Sequence, residues 1–323
     1  MVKKIFFWIV LFLAFKLTLV LLVSFLSVDP RRDIATRKQH LQAFNPNTVF
    51  IGTSRTLYGI DPGIFDSLNA GKTDSYNMGL FSLSFANSLD IAQDLIQNRP
   101  EIETVLMELS ALDYSTIHLT PAQVFNDAYF RTRVMQAAIN GDTHEKWSDF
   151  LSGLNTTIFQ TFSIAPQIAT VKKVLEPVND PIEGPPNLAK NGMQRVSLRI
   201  SGLNTGVINN RFYTKKLMSL DKKLPPNAHF LFRINEVLSL AKAHRKRLVF
   251  YMPNNITKGE FEVLSQVAPY IPQVNFIALP TDSSLEAIFK PENLFDSHHL
   301  NVEGSAIFTR YLHGEFTKKS DNL

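Results

Sequence analysis

The 323-residue chain contains no cysteine. Disulfides, thiolate metal sites and a cysteine nucleophile are therefore excluded. The absence also suits an oxidising compartment, where an unpaired thiol is a liability. Charge is sparse: 19% of residues are Asp, Glu, Lys or Arg, and the net charge is only +4. There is no lysine–arginine block and no interleaving of basic with aromatic residues, so nothing points to nucleic acid. The slight basicity reads as an ordinary solvated surface. His40, His118, His144, His229, His244 and His313 are scattered without metal-ligand spacing, and no cofactor motif is present. Internal repeats and low-complexity tracts are lacking as well.

What the chain does have is one long apolar run, residues 5–27, interrupted by Lys16. As a helix it extends roughly 34 Å, enough to cross the hydrocarbon core of a bilayer. The run is long for a signal-peptide core and no A-x-A-like site follows it, so an uncleaved signal anchor is expected. Lys16 must snorkel or find a polar partner, because a lysine near mid-membrane costs about 2.5–3.5 kcal/mol on insertion scales. Flanking charge does not set the orientation: Lys3 and Lys4 oppose Arg31, Arg32, Arg37 and Lys38.

Residues 28–45 are polar and contain Pro30, and read as a juxtamembrane stalk. A folded domain is expected over 46–323. Short β-rich runs at 48–51, 75–78, 104–109, 247–252 and 274–279 alternate with helical periodicity at 82–97, 227–245, 257–267 and 302–317. Asp61-Pro62-Gly63 is a turn signal. Residues 115–225 break the alternation. They read as an insertion, mostly helical over 121–175 and loop-like over 177–192. Alternating strands and helices imply a parallel sheet covered on both faces. Ligands in such sheets bind beyond the carboxyl ends of the strands. Ser54, Gly79, Ser110 and Asn254 all lie just past an expected strand and should converge there.

Two segments carry the chemistry. Val49-Phe50-Ile51-Gly52-Thr53-Ser54-Arg55 is a buried strand that stops at a glycine and presents a serine on the following turn. The serine can be a nucleophile whose own N–H helps hold an oxyanion, or simply a helix N-cap. Asp296-Ser297-His298-His299-Leu300-Asn301 sets a carboxylate three residues before an imidazole. Asp296 can accept the Nδ1–H of His299 and leave Nε2 as a base for Ser54. His298 is the alternative base; the spacing from Asp296 favours His299. Arg55 can orient the serine turn, bind an anionic substrate, or pack at the sheet edge. Tyr58 and Asn254 can line the cleft. Asn155 and Asn255 each begin an N-x-T glycosylation sequon.

Order and placement resemble the SGNH (GDSL-like) hydrolase superfamily, over roughly residues 46–315 apart from the insertion. The matching residues are Gly52-Thr53-Ser54-Arg55 at the front, Tyr76-Asn77-Met78-Gly79 as a second block, and Asp296-x-x-His299 at the back. The resemblance implies a flavodoxin-like α/β fold. It implies Ser54, Asp296 and His299 as catalytic triad and Gly79 as second oxyanion donor beside Ser54. The family's third block, G-x-N-D, is replaced by Met107-Glu108-Leu109-Ser110-Ala111-Leu112-Asp113, so its asparagine donor is missing and Ser110 is a weak substitute.

The membrane anchor with a G-[ST]-S-R front is similar to extracytoplasmic proteins that modify cell-envelope polymers beside membrane-bound O-acyltransferases, such as those of D-alanyl transfer and alginate acetylation. By that resemblance the domain faces the periplasm of a bacterial inner membrane. The implied activity is esterase or O-acyltransferase on an acylated glycan or polymer, with no cofactor or metal. The alternative is a non-catalytic module for polymer binding or for assembly with an acyltransferase.

Overall fold

The computed structural model describes residues 2–26, 34–81, 83–111, 188–220, 224–280 and 283–320, with 151, 154, 162–164, 167–168, 171–172 and 175. The chain divides into two compact units, Met1–Asp33 with Thr116–Glu183, and Ile34–Ser115 with Gly184–Leu323.

The first unit contains α1 (Val2–Leu26), about 37 Å long at 1.5 Å per residue. Its segment Val2–Val23 has a mean hydropathy of 2.6, and it is the one helix among the described residues long and apolar enough to cross a membrane. Phe6, Phe7, Trp8, Leu21 and Leu22 are exposed. A helix apolar on all sides suits lipid far better than water. Lys16 is buried. The Phe12 ring stacks on Phe162, with centroids 6.0 Å apart. Most of the helical segment expected over 121–175 lies outside the described residues, as do 177–187 of the expected loop.

The second unit is built on five parallel strands: β1 (Thr48–Gly52), β2 (Ser75–Gly79), β3 (Thr104–Glu108), β4 (Arg247–Tyr251) and the short β5 (Phe276–Ile277). Their order is β2-β1-β3-β4-β5. Every residue of β1 and β2 is buried. Successive strand residues face opposite sides, so both faces of the sheet are covered. On the sheet, α5 (Phe85–Asn98) packs against α7 (Ala228–Ala243), while α9 (Val302–Ser320) packs with α3 (Ser54–Gly59) and α4 (Pro62–Leu68). The register pairs Gly52 with Gly79, Ile51 with Met107, and Glu108 with Tyr251. The strands therefore end nearly level, and the turns after β1, β3 and β4 leave from one edge.

Several boundaries differ from those expected. The segment 28–45 is not a stalk throughout. Its part from Ile34 is helix α2 (Ile34–Phe44), with Arg37 and Leu41 buried; residues 28–33 lie outside the described ones. The Arg37 guanidinium donates to the carbonyls of Asn77 and Gly192 and lies over the Tyr76 ring. The α/β unit thus starts at 34 rather than 46. One leucine and one arginine four residues apart carry too little apolar periodicity to show this in sequence.

The Asp61-Pro62-Gly63 signal is a helix start: Asp61 Oδ1 accepts the N–H groups of Gly63 and Ile64, and proline takes the first helical position. The same residue types serve turns and N-caps. The insertion is shorter than 115–225. From Gly184 the chain rejoins the sheet unit, where α6 (Thr205–Met218) packs against α8 (Lys258–Leu264).

Candidate active site

The serine turn begins where β1 runs out at Gly52. A Cβ there would lie 1.9 Å from Thr56 Oγ1 and 2.6 Å from both Cβ and Oε2 of Glu108, so only glycine fits. Thr53 then caps α3. Its Oγ accepts the Arg55 N–H, and its carbonyl accepts those of Thr56 and Leu57. Ser54 is the first helical residue, a position whose N–H has no intrahelical acceptor. Among the described residues nothing accepts it.

The Asp296–His299 loop closes on itself. Leu294 and Leu300 form an antiparallel bridge, and the Phe295 N–H donates to the His299 carbonyl at 3.1 Å. Within that turn Asp296 Oδ1 accepts the N–H groups of His298 and His299 at 2.7 and 2.8 Å. This is the local side-chain-to-backbone bonding that makes aspartate a turn former. Asp296 Oδ2 lies 2.7 Å from His299 Nδ1. His299 Nε2 lies 2.7 Å from Ser54 Oγ. With Nδ1–H donating to the carboxylate, Nε2 is the lone-pair nitrogen facing the hydroxyl. Burial opposes ionisation of Asp296, but the hydrogen bond and charge of His299 and the two backbone N–H groups hold its pKa below the usual carboxylate range.

The His299 ring is fixed by aromatic contacts. Phe295 stacks on it with centroids 5.3 Å apart, and Tyr58 meets it edge-on at 5.1 Å. Below the loop Asn301 caps α9, accepting the N–H groups of Glu303 and Gly304. Among the described hydrogen bonds the His298 ring makes none with Ser54. Its Nδ1 accepts from Asn210 Nδ2 at 3.0 Å, and burial together with the neighbouring His299 lowers its pKa. Gly206 on α6 lets that helix approach the loop, since a Cβ there would stand 2.8 Å from Ser297 Cβ.

Ser54, Asp296 and His299 are brought together; Gly79, Arg55 and Asn254 make other contacts than the expected ones. The Gly79 N–H donates to Asn77 Oδ1 at 2.8 Å and is unavailable to an oxyanion. Gly79 is instead a close-approach residue, for its Cβ would fall 2.3 Å from the Leu57 nitrogen. Asn77 also donates to the carbonyls of Thr56 and Ile60. Ser110 is buried past β3 and, among the described contacts, makes none with the triad; Leu112 and Asp113 lie outside the described residues.

Arg55 is not substrate-facing. It is 6% exposed and paired with Glu108 and Glu260. Burial works against its charge, but the facing carboxylates of Glu260 and Glu108 raise its pKa. Asn254, 1% exposed, donates to the His298 carbonyl at 3.2 Å, so it supports the loop rather than lining a cleft. Asn255 does the same at 2.7 Å and, being buried, is no glycosylation acceptor; Asn155 lies outside the described residues.

Glu108, Glu260, Asn77 and Phe295 are given no role by the sequence reading, yet three of them left a trace. Glu108 and Asn77 are polar residues inside apolar strands, which need buried partners. Thr257-x-x-Glu260 is a capping box, and both of its bonds form.

Comparison of the chain with protein families, with curated proteins and with solved structures finds no match.

Proposed function

We propose that this chain is a serine-dependent acyl esterase or O-acyltransferase of the SGNH type, working through Ser54, His299 and Asp296. One observation carries the reading. A hydroxyl and an imidazole 245 residues apart meet at 2.7 Å, and the same ring is held from behind by a carboxylate at 2.7 Å. A structural N-cap serine requires no such arrangement; an activated nucleophile does. The strand order 2-1-3-4-5 is the flavodoxin-like one, and the three groups sit past the strand ends where such sheets bind ligands.

The chemistry is a double displacement. His299 Nε2 takes the proton of Ser54 as Oγ attacks an ester carbonyl. The Ser54 N–H donates to the developing oxyanion. His299 then delivers its proton to the departing alkoxide, leaving an acyl-serine. In the second half it deprotonates water or an acceptor hydroxyl as that oxygen attacks the acyl carbonyl; the bond to Ser54 Oγ breaks, and the imidazolium returns the proton to Oγ. Asp296 holds the tautomer and balances the imidazolium throughout. The acyl acceptor follows from the resemblance: a sugar or polyol hydroxyl of an envelope or exported polymer, with a membrane-bound O-acyltransferase as the acyl source. With α1 as anchor, the sheet unit stands on the periplasmic side of a bacterial inner membrane.

The test is covalent capture by a fluorophosphonate probe in the full chain. Labelling that maps to Ser54 and vanishes in Ser54→Ala supports the reading. Failure of the native protein to label, at any pH from 6 to 9, rejects it in favour of a non-catalytic binding module.

A further inference from the structure

The serine turn and the histidine loop come from opposite ends of the sheet unit, and one buried side chain connects them. Arg55 Nε donates to Glu108 Oε1 at 3.0 Å, on β3. Its Nη1 donates to Glu260 Oε2 at 3.0 Å and to the Asn255 carbonyl at 2.7 Å, and its Nη2 to Glu260 Oε1 at 2.6 Å. Asn255 in turn donates through Nδ2 to the carbonyl of His298, the residue before the catalytic histidine. A continuous path therefore runs from the serine turn through Arg55 and Asn255 to the His299 loop.

The serine side is clamped as well. Glu108 accepts from the Thr53 N–H at 2.9 Å, the Thr53 hydroxyl at 2.8 Å and the Thr56 hydroxyl at 2.6 Å. Residues 53, 55 and 56 are thus tied to one carboxylate, and Ser54 between them meets His299.

We propose that Arg55 is a positioning residue that sets the Ser54–His299 distance, with Asn255 as the link to the histidine loop; the proposal rests on the catalytic reading above. The planar guanidinium is what the site requires. It donates in several directions at fixed angles, whereas a lysine ammonium is a single point charge that cannot reach both carboxylates and the Asn255 carbonyl together. A misplacement near 1 Å between reacting groups costs on the order of 10²-fold in rate.

The test measures fluorophosphonate capture in the full chain, reading the second-order rate constant separately from the fraction labelled at completion. In Arg55→Lys and in Asn255→Ala the rate constant is expected to fall about 10- to 100-fold with the labelled fraction at the native level. A native rate constant in both, or a reduced labelled fraction that reacts at the native rate, makes Arg55 purely structural and overturns the proposal. Asn255→Ala leaves all three charged groups in place, so it decides alone if Arg55→Lys does not fold. A native protein that is never captured is a different result: it removes the catalytic reading, and this proposal with it.

Discussion

Replacing Asp296 by asparagine separates the chemistry of the triad from the shape of its loop. In the native turn Oδ1 accepts two backbone N–H groups at 2.7 and 2.8 Å, while Oδ2 receives the His299 ring at 2.7 Å. Asparagine keeps the volume and the Oδ1 acceptor but puts an NH₂ where Oδ2 stood. That donor faces Nδ1, so the ring must carry its proton on Nε2. The Nε2–H then points at Ser54 Oγ and cannot accept its proton. An inverted tautomer of this kind lowers rate by about 10⁴-fold, or about 5.5 kcal/mol of transition-state stabilisation. The stability cost is smaller. Three charge-assisted hydrogen bonds become neutral ones, a loss of about 1–3 kcal/mol in all, which shifts Tm by a few degrees for each kcal/mol. The assay pairs fluorophosphonate capture kinetics with thermal melting on the same sample. A rate within tenfold of native in a folded Asp296→Asn protein would refute the assigned tautomer and with it the role of Asp296.

Two further perturbations probe the support behind the serine. Gly52→Ala forces a methyl group against Thr56 Oγ1 and Glu108, both anchored; a loss of about 3 kcal/mol, the upper end for overpacking, is expected by denaturant titration, and unchanged stability would show that the turn can relax. Acid stability follows Glu260. Burial alone would raise its pKa, but the charge and hydrogen bonds of Arg55, with the Thr257 N–H and hydroxyl, hold it below 4.5. A carboxylate with a depressed folded pKa contributes stability that is present above the unfolded value and lost as pH falls through the folded one. Melting temperature should therefore drop below about pH 4.5 in the native protein and drop less steeply in Glu260→Gln; equal slopes would contradict the pairing.

Local patterns made part of this architecture readable. The apolar run of α1, the buried runs of β1 and β4 and the helical spacing of α5, α7 and α9 depend on residues close in sequence, and all appear near their expected bounds. Ser54 could be picked out because a strand ending at glycine exposes the next turn. Asp296 and His299 could be paired because their bond closes within a single turn. Gly79 is not the donor expected because the Asn77 side chain, two residues back, takes its N–H, a local bond that asparagine permits without requiring. Arg55 was open to three roles because its partners lie 53 and 205 residues away.

The sequence by itself determined the long apolar N-terminal helix, the strand–helix alternation and the identity of the three side chains of the candidate site, because hydropathy, period and turn chemistry are properties of neighbouring residues. Only the tertiary structure decided that Ser54 and His299 touch, that His298 turns to Asn210, and that Arg55 joins two buried glutamates. Each of those outcomes is a competition among hydrogen-bonding groups for a few buried partners. Burial weights it, since a polar group shut away from water is costly to leave unpaired and most take a partner that the fold has placed within reach.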